Sequence, residues 1–315
     1  MRRTAIFIAV LLIIGIAVPV ALSAYKDDTY KRVVIIGVDG MGTVSAEVPT
    51  PNMDRIFANG ATTYDMQSVT PSYSGQAWGS MFYGVDPEVH GWDNTNMLVM
   101  AYIQQMIKAS PRTEKPAAKR EPEGIYSLFK LIADKYPQAD QAAICYWIAI
   151  WAFAEFGVNV YLDGFEGAQI SFTSDEYVLN KTLDYLDGGN DPKFLYVHFD
   201  NVDYYGHEYG VGDLYRETLT VEDGYIGQIY DKYAELGLLE DTLFIVTTDH
   251  GHRPGGNHGG NTPAEMNCFL GVAGKTVKKG ALQNVDIKDV AAIVASALNI
   301  TPPDFWTNKL PEGLF

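Results

Sequence analysis

Aspartate and histidine residues directly follow several apolar segments of this chain, a pattern that could bind divalent metal ions. The set comprises Asp39, Asp203, His207, Asp249, His250 and His258. Carboxylate oxygens and neutral imidazole nitrogens are ligands that zinc takes in proteins, and a catalytic zinc site keeps one position open. Five of the six histidines fall in two short stretches, 198–207 and 250–258. This grouping favours a metal site, although a lone aspartate after a strand is more often a turn or cap residue.

The spacing within these stretches also suits metal binding. Asp203 and His207 are four residues apart, which places them on one face of a helix if the segment is helical. Asp249 and His250 are adjacent, as ligands in a tight turn after a strand can be. His198 lies inside an apolar run, so we interpret it as structural. For His252 two readings remain, a residue behind the ligands or a surface residue, and neither assigns it to a metal.

A hydroxyl nucleophile is available in the segment 70–81, which contains Thr70, Ser72 and Ser74 before a predicted helix. Two metal ions about 4 Å apart can activate one oxygen and hold the phosphoryl group at the same time. A helix N-terminus also stabilises phosphate oxygens. The alternative is that Ser74 or Ser72 only caps the helix. Nearby aromatic residues (Tyr73, Trp78, Tyr204 and Tyr205) could stack on a base or lipid, or simply pack.

The elements that must position these residues alternate along the chain. Short apolar runs predict strands at 33–38, 142–147, 194–199, 243–248 and 268–272, and helical patterns occur at 125–136, 177–186, 221–236 and 287–298. This alternation predicts an α/β fold, a three-layer sandwich with a largely parallel central sheet. Ligands of such sheets bind beyond the carboxyl ends of the strands, where the aspartates and histidines stand. The segment 111–124, rich in charge and proline, is predicted to be an exposed loop.

Composition limits the cellular setting and the partners. Residues 1–24 carry Arg2 and Arg3 before a long apolar run, which predicts a secretory signal peptide or an N-terminal membrane anchor and therefore an exported protein. Residues 25–315 are predicted to form one catalytic domain. A formal charge of -16 argues against binding a nucleic-acid polymer. Cys145 and Cys268 lie in apolar runs and are predicted to be buried free thiols. Nothing in the sequence indicates an oligomeric state.

Together, these motifs resemble the alkaline phosphatase superfamily, and within it the type I phosphodiesterase and nucleotide pyrophosphatase family. The motifs, in the family's order, are VDGMG at 38–42, Ser74 ten residues before Gly84, DYYGH at 203–207, TDHG at 248–251 and NHGG at 257–260. Segments 260–267 and 286–291 resemble the family's closing segments. The sulfatase motif Cys-x-Pro-x-Arg is absent at the nucleophile, and so is the Thr-x-Pro-Asn-His of nucleotide-specific members.

The resemblance implies a site with two divalent metal ions, with zinc expected and manganese or iron as alternatives. One metal would be held by Asp203, His207 and His258, and the other by Asp39, Ser74, Asp249 and His250. Ser74 would be the nucleophile, and Asn94 or Asn96 would contact the phosphate. The implied activity is hydrolysis of a small phosphate ester through a phosphoseryl intermediate. A phosphomonoesterase or phosphonate hydrolase, and a non-catalytic binding protein that retains the fold, are the alternatives.

Overall fold

The computed structural model describes residues 30–109, 124–154, 158–164 and 174–315, and these form one eight-stranded sheet with helices on both faces. The strands are β1 (Arg32–Val38), β2 (Ala61–Gln67), β3 (Gln141–Cys145), β4 (Tyr161–Gly164), β5 (Phe194–Phe199), β6 (Thr242–Thr247), β7 (Asn267–Ala273) and β8 (Gly280–Ala281). Their order is β4-β3-β5-β1-β6-β7-β2-β8. Among these strands only β7 runs antiparallel to its neighbours.

The helices cover both faces of the sheet. They are α1 (Pro51–Phe57), α2 (Ser74–Tyr83), α3 (Pro87–His90), α4 (Asn94–Ala109), α5 (Leu128–Lys135), α6 (Ser174–Asp187), α7 (Asn201–Tyr209), α8 (Asp213–Glu235), α9 (Pro263–Met266) and α10 (Asp289–Ala297). Side chains alternate between the faces of a strand. Accordingly, Val33 and Ile35 of β1 join the core under α2, α5 and α10, whereas Val34 and Ile36 join the core under α1, α6 and α8. The predicted three-layer α/β sandwich is confirmed.

Most of the predicted elements are present, with shifted ends. The strands expected at 33–38 and 194–199 are found, but the one expected at 142–147 ends at Cys145 because a 3-10 helix follows at Ile148–Phe153. The helix expected at 221–236 begins earlier, at Asp213. Strand β2 and helix α4 were not predicted, since β2 carries mixed polar and apolar residues and is only partly buried.

The strand order brings the candidate ligands together. Strands β5, β1 and β6 are adjacent and parallel, so the residues that follow them meet at one edge of the sheet. Strand β7 runs antiparallel to β6 and therefore begins at the same edge. The connection between them, which carries His250 and His258, consequently stays at that edge.

Two sequence-based expectations fall largely outside the described residues. These are the signal peptide or anchor at residues 1–24 and the exposed loop at 111–124, of which only Gly124 is described and is exposed. Within the ranges that the structure covers, no helix combines the length and the apolar character needed to cross a bilayer.

Candidate active site

Asp39, Asp249 and His250 form a cluster that we call the inner group. All three side chains are buried, and their ligand atoms lie within 4.8 Å of one another. His250 Nε2 is 3.5 Å from Asp39 Oδ1 and 3.2 Å from Asp249 Oδ2. Neither of these carboxylate oxygens has a hydrogen-bond partner. Because buried acceptors are normally satisfied, the two oxygens mark a place where a cation fits.

Neighbouring groups orient the inner ligands. The other Asp39 oxygen, Oδ2, accepts hydrogen bonds from Trp78 Nε1 and His198 Nε2, each at 3.0 Å. The other Asp249 oxygen, Oδ1, accepts from the backbone N–H of Gly40 at 3.1 Å and of His250 at 3.0 Å. Each carboxylate therefore has one oxygen bound by the protein and the other turned toward His250.

Asp203, His207 and His258 form a second cluster, the outer group, whose ligand atoms also lie within 4.8 Å of one another. Helix α7 carries Asp203 and His207 one turn apart, so that Asp203 Oδ2 is 3.4 Å from His207 Nε2. His258 Nε2 lies 3.6 Å from Asp203 Oδ1 and 2.9 Å from His207 Nε2. The His207 side chain is 41% exposed and that of Asp203 is 14% exposed, so this group faces solvent.

The two groups touch through their histidines. The rings of His250 and His258 stack with centroids 3.7 Å apart, and His250 Nε2 is 4.0 Å from Asp203 Oδ1. His258 Nδ1 donates to the backbone oxygen of Ser72 at 2.8 Å, and His250 Nδ1 faces the backbone oxygen of Gly251 at 3.3 Å. Protons on these Nδ1 atoms leave the Nε2 lone pairs directed into the cluster, as metal binding requires.

The carboxylates of Asp39, Asp203 and Asp249 repel one another electrostatically. Burial, and then the negative charge of Asp39, raise the pKa of Asp203 to about 7 and that of Asp249 well above its ordinary value. Burial also acts to raise the pKa of Asp39, but the hydrogen bond from His198 and the nearby His250 keep it below its ordinary value. Burial lowers the pKa of His250, so its imidazole is neutral. Bound cations would relieve this repulsion, and the donor set of carboxylates and neutral imidazoles fits divalent ions such as zinc.

Ser74 lies beside the inner group. It is the first residue of α2, and its Oγ is 3.2 Å from His250 Nε2. The reading of Ser74 or Ser72 as a helix cap is wrong, because Tyr73 occupies the cap position and the cap makes no side-chain hydrogen bond. Ser72 Oγ instead bridges the loop of His258, accepting from Gly259 N and donating to Gly260 O, each at 3.0 Å.

Asn94 and Asn96 have different surroundings in the structure. Asn94, at the start of α4, accepts a hydrogen bond on Oδ1 from Gly75 N at 2.6 Å, directly beside Ser74. A Cβ atom on Gly75 would lie 2.5 Å from the backbone nitrogen of Asn94, so only glycine permits this approach. Asn96 bonds within its own turn, accepting from Asp93 N at 3.0 Å and donating to Gly91 O at 2.8 Å. Asn94 therefore lies next to Ser74, whereas Asn96 is not hydrogen-bonded to this segment.

The structure also identifies residues that support the candidate ligands, among them Trp78 and His198, which the sequence did not assign to this role, and His252, for which it gave this role as one of two readings. Trp78 follows Ser74 by one helical turn and is buried, so it holds Asp39 and cannot stack on a substrate. The four-residue spacing of Ser74 and Trp78 in a predicted helix could have indicated that both side chains lie on the same face, near the candidate ligands. His198 faces Gly37 across the β1–β5 pairing, which only the register shows. His252 is buried against Asp203, so the surface reading of it is wrong.

The remaining sequence-based expectations concern packing. Tyr205 is buried, and its ring stacks on Tyr209 with centroids 5.8 Å apart, as the packing reading predicted. Tyr73 is 43% exposed, with its ring edge against His258. Cys145 and Cys268 are both buried and free, as predicted.

Known proteins resemble this chain in sequence. A family model described as type I phosphodiesterase / nucleotide pyrophosphatase matches residues 33–309. GPI ethanolamine phosphate transferase 3 of Eremothecium gossypii is 36% identical over 115 residues, which are 36% of this chain and 10% of that protein. The chain therefore matches only about a tenth of the length of this curated relative.

Solved structures show the same fold. Murine ectonucleotide pyrophosphatase / phosphodiesterase 5 has a TM-score of 0.63 at 15% identity, and the match covers 89% of this chain and 100% of that one. A putative sulfatase from Bacteroides thetaiotaomicron has a TM-score of 0.63 at 11% identity, covering 89% of this chain and 73% of that one. Since the family model matches residues 33–309, which is most of the chain, the chain belongs to the type I phosphodiesterase / nucleotide pyrophosphatase family.

Proposed function

We propose that this protein is a metal-dependent hydrolase of small phosphate diesters or pyrophosphates, with Ser74 as the nucleophile. The observation that carries the proposal is the position of Ser74 Oγ, 3.2 Å from His250 Nε2. That nitrogen also faces the unpartnered oxygens of Asp39 and Asp249. A hydroxyl beside a cation-binding cluster, on the first residue of a helix, is suited to attack a phosphoryl group.

The inner and outer groups are proposed to hold one divalent ion each, with zinc expected from the mixed oxygen and nitrogen donors. Such ions supply Lewis acidity, which lowers the pKa of the Ser74 hydroxyl and neutralises phosphoryl charge. The Ser74 oxygen then forms a bond to phosphorus as the bond to the leaving oxygen breaks. The intermediate keeps the second ester group of the diester on phosphorus; water then cleaves the bond between phosphorus and the Ser74 oxygen, which restores the hydroxyl and releases a phosphate monoester. Asn94 Nδ2 would donate a hydrogen bond to a phosphoryl oxygen, and the support for this role is that Asn94 Oδ1 accepts from Gly75 N, directly beside Ser74.

The charge of the site favours diesters over monoesters. Among the described residues, no arginine or lysine side chain forms a hydrogen bond or ion pair with Ser74 or with either ligand group. A phosphate monoester carries more negative charge than a diester, and arginine is the usual partner for that charge. The intact set of ligands likewise argues against a non-catalytic binding protein.

A transferase is a second candidate, because the sequence relative from Eremothecium gossypii is named an ethanolamine phosphate transferase. The same Ser74 intermediate, which keeps one ester group of the donor on phosphorus, would then be cleaved by an alcohol of an acceptor in place of water. Addition of a small alcohol to the assay tests this directly. A transferase would release a new phosphate diester in proportion to the alcohol, whereas a strict hydrolase would not.

The decisive experiment is an assay of zinc-loaded protein on three p-nitrophenyl substrates, which are a phosphate diester, a phosphate monoester and a sulfate ester. We expect turnover to be greatest on the diester, to stop with a chelator and to return with zinc. Acid quenching during turnover should trap a phosphorylated peptide that contains Ser74. Absence of turnover on every phosphate ester, in protein that has bound its metal, would refute the proposal.

We further propose that residues 1–24 direct export, either as a cleaved signal peptide or as an anchor, with residues 25–315 as one catalytic domain. Fractionation of cells that express the full chain tests this. Catalytic protein outside the cytoplasm is expected, and recovery of the intact chain from the cytoplasm would contradict it.

A further inference from the structure

His252 is a buried histidine that neither of the proposed metal groups uses. Its Nε2 lies 2.8 Å from Asp203 Oδ1, which is shorter than the distance from that carboxylate to any other histidine described here. The Asp203 carboxylate belongs to the outer group, has a side chain that is 14% exposed, and receives none of the backbone hydrogen bonds that hold Asp249. His252 is therefore a direct hydrogen-bond partner of an otherwise weakly held ligand.

The ring of His252 occupies a slot that two glycines make possible. A Cβ atom on Gly206, between the two ligands of α7, would lie 2.7 Å from His252 Nε2. A Cβ atom on Gly40, next to Asp39, would also lie 2.7 Å from that nitrogen. Glycine inside a helix is destabilising relative to alanine, so its presence in α7 is explained by this close contact.

Tyr215 closes the slot on a further side. Its ring lies edge-on to His252 with centroids 5.8 Å apart, and its hydroxyl donates to the Gly40 backbone oxygen at 2.5 Å. Helix α8, which carries Tyr215, also packs directly on α7. The position of the imidazole is thus fixed relative to both the Asp39 turn and the outer group.

The direction of the hydrogen bond separates His252 from the ligating histidines. A neutral imidazole has one N–H, and Asp203 in the ionised form that binds a metal can only accept. The proton of His252 therefore belongs on Nε2, which leaves no lone pair on that nitrogen for a metal. His250 and His258 have the opposite arrangement, with Nδ1 against a backbone oxygen and Nε2 turned into the cluster.

We infer that His252 is a positioning residue that donates to Asp203 Oδ1, restricts how this carboxylate can bind a metal, and thereby tightens metal binding by the outer group. The inference rests on the proposed metal site. Residues that hold a metal ligand from behind typically contribute about 10–100-fold to metal affinity or activity. The inner group, held by its own partners Trp78 and His198, should be affected little.

The test compares three variants of the full chain. His252→Gln keeps an amide N–H that can reach Asp203, His252→Leu fills the slot without a donor, and His252→Asn is polar but too short to reach. Zinc dissociation constants are measured by competition with a chelator, and anomalous scattering from crystals shows which group has lost zinc. Thermal unfolding of the metal-free variants reports folding separately.

We expect the Leu and Asn variants to bind zinc about 10–100-fold more weakly at the outer group, and the Gln variant to stay within a few-fold of wild type. Equal losses in the Gln, Leu and Asn variants would overturn the inference and make His252 a ligand. Unchanged zinc affinity in all folded variants would reduce its role to packing. If the wild-type chain itself binds no divalent ion, the proposed metal site is wrong, and this inference fails with it. Measuring zinc binding by wild type therefore distinguishes failure of the metal site from the two outcomes that concern only His252.

Discussion

The inner and outer groups have similar ligand types but are held in different ways. Asp39 and Asp249 follow parallel strands and are fully buried, and each has one oxygen bound by fixed neighbours. The outer group takes two of its ligands from one turn of α7 and the third from a loop, and His207 is 41% exposed. Strand ends give the inner group its rigidity, whereas the outer group depends on helix spacing and on side chains such as His252. We therefore expect the inner group to govern chemistry and the outer group to exchange its metal more readily.

The largest expected effect is on turnover, in Ser74→Ala. If the nucleophile belongs to the inner group, kcat for a diester should fall by at least about 10³-fold while zinc content stays near that of wild type. Steady-state kinetics and metal analysis of the same sample check this. Ser72→Ala is the control, since it removes hydrogen bonds to the 259–260 loop and should cost about 1–2 kcal/mol of stability while leaving the covalent step. Near-normal turnover in Ser74→Ala would contradict the mechanism.

The next expected effect is on how the stability of the metal-free protein depends on pH, and the variants Asp249→Asn and Asp203→Asn test it. Where folding raises the pKa of an acid, stability falls as pH rises from the unfolded to the folded pKa, so Asp203 should lower the stability of the metal-free chain between about pH 4 and about pH 7. The lowered pKa values of His250 and His258 act in the opposite direction. Thermal unfolding of wild type and Asp203→Asn with a chelator at several pH values isolates the contribution of Asp203 as the difference between the two proteins, and zinc should reverse this contribution.

Each amide variant should flatten that pH dependence, because it removes an ionisable group from the cluster. Asp249→Asn should also abolish zinc binding at the inner group, whereas Asp203→Asn should do so at the outer group. A stability difference between wild type and Asp203→Asn that does not change between these pH values would contradict the picture of mutually repelling carboxylates.

A smaller effect is expected for Trp78→Phe, which keeps the aromatic ring but removes the N–H that binds Asp39. Loss of this partner should weaken zinc binding at the inner group, or lower kcat, by about tenfold. Chelator competition and kinetics on the variant measure both. Phe82→Leu in the same helix is the control, because Phe82 is buried in the core and does not contact the ligands. If the Phe82 variant has the larger effect on zinc affinity, packing of α2 matters more than the hydrogen bond.

The smallest effects distinguish the two asparagines. Asn94→Ala should lower kcat/KM for a diester by about tenfold, since it removes an N–H proposed to contact the phosphoryl group. Asn96→Ala should leave kcat/KM unchanged and reduce stability by about 1 kcal/mol, because its side chain bonds only to Asp93 and Gly91, just before α4. The opposite result would place Asn96 in the site.

The sequence alone identified the fold class and the candidate ligands. Continuous apolar runs such as β1 and β5 predict buried parallel strands, and the aspartates and histidines that follow them are visible as a pattern. The four-residue spacing of Asp203 and His207 required only a helix, which α7 provides. Local pattern and local spacing were sufficient for these predictions.

Tertiary structure decided how these residues are held and which alternatives apply. The choice between Asn94 and Asn96 depends on the approach of α4 to Gly75, and the role of His198 depends on its register with β1. The burial of His252 depends on contacts among β1, α7 and α8, which are far apart in sequence. Hydrogen-bond partners across such separations are set by packing geometry, and no periodicity in a single segment encodes them.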